Sequence, residues 1–176
     1  MTASEHAELV KQESAGSIRL GVDRAHARQF YTDVPIRVVE EHTGEAPYFE
    51  KMMVWLSLIG SIAALLASLC FSIVAFRWWS ALVIPVTLML WLLYASRSAA
   101  GTSRLLGSTV IVAGIVALHF LRADAQRFTP FILSLALSLW LHRFVYIAAT
   151  HFLRSFIIRN HRAFTYVYEF ITIRSA

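Results

Sequence analysis

The sequence predicts an all-α membrane protein with four transmembrane helices, both termini in the cytoplasm, and a small cytoplasmic layer formed by the N- and C-terminal tails. Three observations lead there. Hydrophobic residues make up 57% of the chain, well above the share in a soluble globular domain. They are gathered into four apolar segments, Met53 to Phe76, Trp79 to Ala95, Leu106 to Leu121 and Pro130 to about Phe152. At 1.5 Å per helical residue these run from roughly 24 to 36 Å, against a hydrocarbon core of about 30 Å. The third observation is charge: residues 1–50 hold nine of the eleven acids, whereas the arginines gather around and after the apolar segments.

Taken along the chain, residues 1–50 form an acidic N-terminal region, 51–152 the transmembrane domain and 153–176 a basic, aromatic C-terminal tail. Thr2-Ala3-Ser4-Glu5 has the spacing of a capping box and opens a helix through about Ser14, ended by Gly16. The stretches "SIRLGV" and "PIRVVEE" alternate weakly, as short extended segments do. No apolar run precedes the first span, so that span is expected to act as the insertion signal. Cys70, within it, is the single cysteine and is expected to be a packing residue. Arg77-Trp78-Trp79-Ser80 makes a tight hairpin, with both tryptophans at the membrane interface and Trp55 at the opposite one. In the tail, "AFTYVYEFITIR" is dense in aromatic and β-branched residues and predicts a strand; a helix lying on the membrane surface competes with it. Arg24, His26 and His42 read as plain surface residues.

Orientation follows from the positive-inside rule. Four spans place Lys51, Arg97, Arg104, Arg154, Arg159 and Arg162 on the side of the termini, against Arg77, Arg122 and Arg127 on the other, so both termini are expected in the cytoplasm of an inner, plasma or organellar inner membrane. The acidic head is expected to be a solvated tail, with folding onto the basic C-terminal tail as the alternative. Arg97, Arg104, Arg154, Arg159 and Arg162 are the expected contacts to anionic lipid headgroups.

The spans contain no Asp or Glu, which argues against proton pumping, sodium coupling and cation filtering, because those ions need an intramembrane carboxylate. His142 and Arg143 stand about twelve residues into the fourth span, an expected depth of about 18 Å, close to the bilayer centre. Ser134, Ser138, His142, Tyr146 and Thr150 recur every four residues and draw one polar stripe along that helix. The stripe predicts a helix-contact surface or an anion site with Arg143 at its edge. Gly60, Ala64 and Ser68 of the first span offer a matching small surface for close helix packing. Arg143 keeps its charge in any environment and needs a counterpart: carbonyls freed around Pro85, water, a lipid phosphate, or a carboxylate of another subunit. Bis-histidine haem ligation needs two imidazoles at one depth, and His119, His142 and His151 do not meet that condition. No cofactor and no metal are expected.

The stretch "RSFIIRNH" places Arg154 and His161 at a spacing that resembles the R-x(4–6)-H motif of a class of helical RNA-cleaving domains. That resemblance covers eight residues and implies, as a third option, a membrane-associated RNA-cleaving protein; nucleic acid is otherwise not an expected partner. The first expectation is a non-catalytic integral membrane subunit or scaffold of a larger assembly. The alternative is a homo-oligomeric pore or membrane-perturbing effector gated by its tails. The expected partners are membrane lipids and other subunits or copies of the chain.

Overall fold

The computed structural model describes residues 2–95, 114, 116, 119, 121, 126–168 and 171–175. These residues are mostly helical. They divide into two compact units, one made of residues 1–55 with 145–176, the other of residues 56–144.

The first unit joins the two ends of the chain. Helix α1 spans Ala3–Ser14 and opens on the capping box, with the Glu5 amide donating to Thr2 Oγ1 and the Thr2 amide donating to Glu5 Oε2 at 2.7 Å. It stops where Gly16 turns left-handed at φ +74, a conformation that costs glycine little. Strand β1, Ile18–Val22, follows, then helix α2, Arg24–Asp33, capped by the Asp23 carboxylate accepting from the amides of Ala25 and His26. Residues Ile36–Thr43 form helix α3 rather than the extended segment expected from "PIRVVEE". Pro35 carries a preset φ at its start, and the Thr43 hydroxyl donates to Val39 O one helical turn back, with both residues buried.

Helix α4, Tyr48–Phe76, begins five residues before the expected span. After a 3-10 turn at Arg77–Trp79 comes α5, Ser80–Ala95. Most of the third expected span, 106–121, with Arg97 and Arg104 before it, lies outside the described residues; Gly114, Val116, His119 and Leu121 are helical. Helix α6, Thr129–Arg159, runs seven residues past the expected end of the fourth span. The tail then forms helix α7, His161–Tyr166, and strand β2, Ile171–Ser175. Of the predicted tail strand, residues 171–174 are extended. Its first half is helical because Asn160 caps it, accepting from the amides of Arg162 and Ala163, and because Ala163, Phe164 and Val167 bury one helical face.

Strands β1 and β2 pair antiparallel, with Leu20 opposite Ile173 and Val22 opposite Ile171. Head and tail thus meet through backbone hydrogen bonds as well as side chains. Beneath them, Phe30, Tyr31, Phe152, Leu153, Phe156, Ile157 and Phe164 form the core of this unit. Phe152 stacks on Phe156 with ring centroids 5.8 Å apart and meets the edge of Tyr31 at 5.3 Å.

In the second unit the chain reverses at Arg77–Trp79. Ser61 and Trp91, thirty residues apart, both reach Ser138; a straight helix would hold them about 45 Å apart. Arg77 adopts φ +51 to make that reversal. The stretches Tyr48–Tyr94 and Thr129–Arg159 are long and apolar enough to cross a membrane, and about a third of their most apolar windows is buried among the described residues. Leu56, Ile59, Leu66, Val74, Leu82, Met89 and Leu93 are among the side chains left exposed. Water is a poor solvent for such a surface, and lipid a good one.

Candidate functional site: the polar stripe and the head and tail contacts

The expected stripe on α6 divides among different partners. Ser134 turns back on its own helix, donating to Pro130 O and Phe131 O. Thr150 does the same toward Tyr146 O. Ser138 is fully buried and makes a reciprocal pair with α4: its hydroxyl donates to Ser61 O at 2.7 Å, while the Ser61 hydroxyl donates to Ser138 O at 3.0 Å. The indole N–H of Trp91 donates to the Ser138 hydroxyl at 3.0 Å, so one serine joins α4, α5 and α6. One turn further on, His142 is 2% exposed and packs edge-on against Trp91 with ring centroids 4.9 Å apart. Arg143, its neighbour, is 5% exposed.

On α4 the buried seam is Ser57, Ser61, Ala64, Ser68 and Ser72, all but Ala64 at or below 4% exposure. Gly60, Ala64 and Ser68 were the expected contacts. Ala64 and Ser68 lie in the seam, but Gly60 stands at its edge, where an added Cβ would come within 3.1 Å of the Leu141 side chain. Gly60 leaves room for the Leu141 side chain of α6, and Ser61 beside it adds a hydrogen bond to the same helix. Ser68 and Ser72 donate to carbonyls three residues back in their own helix, which lets a hydroxyl be buried without a partner helix.

Tyr146 belongs to the other unit. Its hydroxyl accepts from Arg28 Nη1 at 3.2 Å, and the guanidinium lies 5.0 Å over its ring. Arg28 is 118 positions away in the chain and carried no signal in the sequence.

The acidic head is not a solvated tail. Glu13 accepts two hydrogen bonds from Arg154, at 2.6 and 3.1 Å, with the carboxylate only 9% exposed. Glu50 accepts from Ser155 at 3.0 Å and lies 3.8 Å from Arg159. His6, on α1, donates from Nε2 to Ile157 O at 2.8 Å and sits against the rings of His161 and Phe164. Asn160 donates to Thr43 O from its amide. Acids and a histidine of the head thus hold the C-terminal part of α6. Of the arginines expected at lipid headgroups, Arg154, Arg159 and Arg162 are all exposed, Arg154 being paired with Glu13 and Arg159 lying near Glu50.

Among the described residues of this unit, Tyr31, Asp23 and Glu5 are shifted. Burial, with the Glu40 charge adding to it, pushes the Tyr31 phenol up to about 12; its hydroxyl donates to Lys51 O. Burial works to raise Asp23, but the amides of His26 and Ala25 and the His26 ring outweigh it and hold the carboxyl below its usual range. The Thr2 amide, with the Thr2 hydroxyl, lowers Glu5.

His119 is bonded through Nδ1 to Thr129 Oγ1 at 2.9 Å. That places it at the start of α6, thirteen residues or about 20 Å along the helix from His142. His151 is exposed. Haem ligation by a pair of these histidines has no geometry to stand on.

The class these features define is a mostly helical protein with two stretches apolar enough to cross a membrane and a compact unit made from both chain ends. No family model matches the chain, and neither a curated protein nor a solved structure does.

Proposed function

We propose that the chain is a non-catalytic integral membrane subunit, crossing the bilayer four times with both ends in the cytoplasm, and that its head and tail unit is the platform on which a larger membrane assembly is built. The observation that carries this reading is the fate of the polar groups. Ser61, Ser138, Trp91 and His142 are used in helix contacts, and Arg154, Glu13 and His6 hold the two chain ends together. Each of these groups is spent on structure. The pairing of β1 with β2 supports placing both ends on one side of the membrane, and the arginine count supports the cytoplasmic side.

The same observation weighs against the other options. A pore needs polar groups that face a lumen, and Ser138 instead closes a contact among three helices. An RNA-cleaving site needs Arg154 for phosphate, and Glu13 neutralises it. Blue-native electrophoresis of gently solubilised native membranes tests the proposal. A complex containing other polypeptides is the expected result. Migration only at the chain's own 19.9 kDa, allowing for bound detergent, would contradict it, and a ladder of pure homo-oligomers would favour the pore.

A further inference from the structure

The first turns of α4 belong to the unit made of the chain ends, yet they carry large apolar side chains in the open. Tyr48 is 78% exposed, Phe49 63%, Met52 36% and Trp55 49%. A water-soluble surface seldom places four such residues within eight positions. The two charges among them are drawn away from this face. Lys51 is bonded to Glu40 at 2.9 Å, and Glu50 to Ser155 and toward Arg159. What remains is an aromatic and thioether face without a free charge.

This face continues along the same helix into Leu56, Ile59, Ile62 and Leu66, all about half exposed. From Trp55 to Phe76 the helix rises about 32 Å, close to the hydrocarbon thickness of about 30 Å, and ends at the exposed Trp78 and Trp79. Tyr48 to Trp55 adds about 10 Å, enough to pass through the headgroup layer of about 5 to 8 Å on one side of a bilayer. Tyrosine and tryptophan favour that layer, having an apolar body and a polar tip.

Helix α6 can be set against the same scale. Ser61 is level with Ser138 and Gly60 adjoins Leu141, so the two helices run antiparallel. Leu56 lies five residues, about 7.5 Å, from Ser61 toward the α4 start, and Arg143 five residues, about 7.5 Å, from Ser138 in the same direction. Arg143 is therefore level with Leu56, the residue that follows Trp55 in the helix.

We propose that Tyr48, Phe49, Met52 and Trp55 form a collar that lies in the cytoplasmic headgroup layer of a phospholipid bilayer, and that His142 and Arg143 stand at that level rather than at the bilayer centre. The inference rests on the proposed membrane location and fixes its register. It also lowers the cost of Arg143, because an arginine near the interface is far cheaper to insert than one at the centre. The occupant of the collar is lipid: its apolar face runs without a break into the lipid-length surface of α4, and its ends match the two interfaces.

Site-directed spin labelling tests this in the full chain, with Cys70→Ala as the background. Met52→Cys, Leu66→Cys and Phe144→Cys are labelled one at a time in phosphatidylcholine vesicles, and collision with oxygen is compared with collision with a water-soluble nickel chelate. Leu66 should be deepest, with an oxygen-to-nickel ratio several-fold above those of Met52 and Phe144, which should both report the interface. A label at Met52 that meets nickel as freely as in water would overturn the collar. So would one that meets neither reagent, with dipolar broadening identifying a second copy as the occupant. A label at Phe144 as deep as Leu66 would return Arg143 to the membrane interior and overturn the register. If Leu66 itself were water-accessible, the membrane location would fail rather than the register alone. Phe49→Cys replaces Met52→Cys should that variant not fold.

Discussion

Removing the Ser138 hydroxyl should cost much more than removing the Ser61 hydroxyl, although the two look alike in the reciprocal pair. Ser61→Ala loses one interhelical bond, to Ser138 O, worth about 0.6 kcal/mol in a helical membrane protein. Ser138→Ala loses its own bond to Ser61 O and also takes the acceptor from the Trp91 indole. A part-buried N–H left without an acceptor adds about 1 to 3 kcal/mol, so the total is about 1.6 to 3.6 kcal/mol. Double-mutant cycles separate the two contributions. Each serine hydroxyl bonds the other's backbone carbonyl, which the alanine variant keeps, so the Ser61→Ala and Ser138→Ala effects should add to within about 0.5 kcal/mol. Trp91 meets the Ser138 hydroxyl directly, so Trp91→Phe and Ser138→Ala should couple by about 1 kcal/mol. Reversible unfolding of the purified proteins in mixed micelles, followed by tryptophan fluorescence and circular dichroism, gives the six free energies of the two cycles. Equal costs for the two serine variants, or no coupling between Trp91 and Ser138, would refute the three-helix junction.

Further outcomes follow from the unit of chain ends. Phe156→Ala, at 1% exposure in the shared core, should destabilise that unit by about 3 to 5 kcal/mol, read by protease sensitivity of both the head and the tail. Tyr31 has its folded value raised, so its contribution to stability is full below about pH 10 and declines as pH rises toward about 12; Tyr31→Phe should remove that decline, as read by alkaline unfolding. Glu5 and Asp23 are shifted the other way, so their contributions are present above the ordinary carboxylate range and fade as pH falls through and below it; Asp23→Asn, which keeps a capping oxygen, should flatten part of the acid limb of a thermal-melting profile. Gly16→Ala should cost about 1 kcal/mol, because alanine is strained at φ +74, and thermal melting would show it as a lower midpoint.

The helix ends and turns were the most legible parts of the sequence. Thr2 and Glu5 announce α1, Gly16 ends it, and Arg77-Trp78-Trp79 marks the reversal, because capping and turn chemistry are local. Helix α3 and the first half of the tail were misread for one reason. Ile36, Val38, Val39, Tyr166, Val167 and Tyr168 favour strands as residue types, while the burial of Val39, Thr43, Ala163, Phe164 and Val167 keeps helical spacing. Burial decided. Helix α2 carries a helical signature in Asp23 as cap and in the spacing of Ala27, Phe30 and Tyr31, which are buried on one face.

The stripe on α6 meets α4 at Ser138, while its other members have partners that residue spacing does not reveal. A period of four on α6 correctly picks out Ser138 and His142 as inward-facing, yet an α-helix turns every 3.6 residues, so the ends of the stripe drift away. Ser134 and Thr150 fall back on their own carbonyls, and Tyr146 meets Arg28. The small residues Gly60, Ala64 and Ser68 share the buried side of α4 with Ser57, Ser61 and Ser72, whose hydroxyls the spacing of small residues alone does not single out. Contacts such as His6 to Ile157, 151 positions apart, depend on the whole fold and leave no mark at either end of the sequence.

The central claim is that the two chain ends form one unit on one side of a membrane, and a disulfide across β1 and β2 tests it most directly. Arg19 and Arg174 are register partners, and cysteines at opposed antiparallel positions are within bonding reach. In native membranes, Arg19→Cys with Arg174→Cys in the Cys70→Ala background should form an intramolecular disulfide on mild oxidation, detected as a reducible mobility shift of the monomer. No disulfide, or only crosslinks between chains, would contradict it.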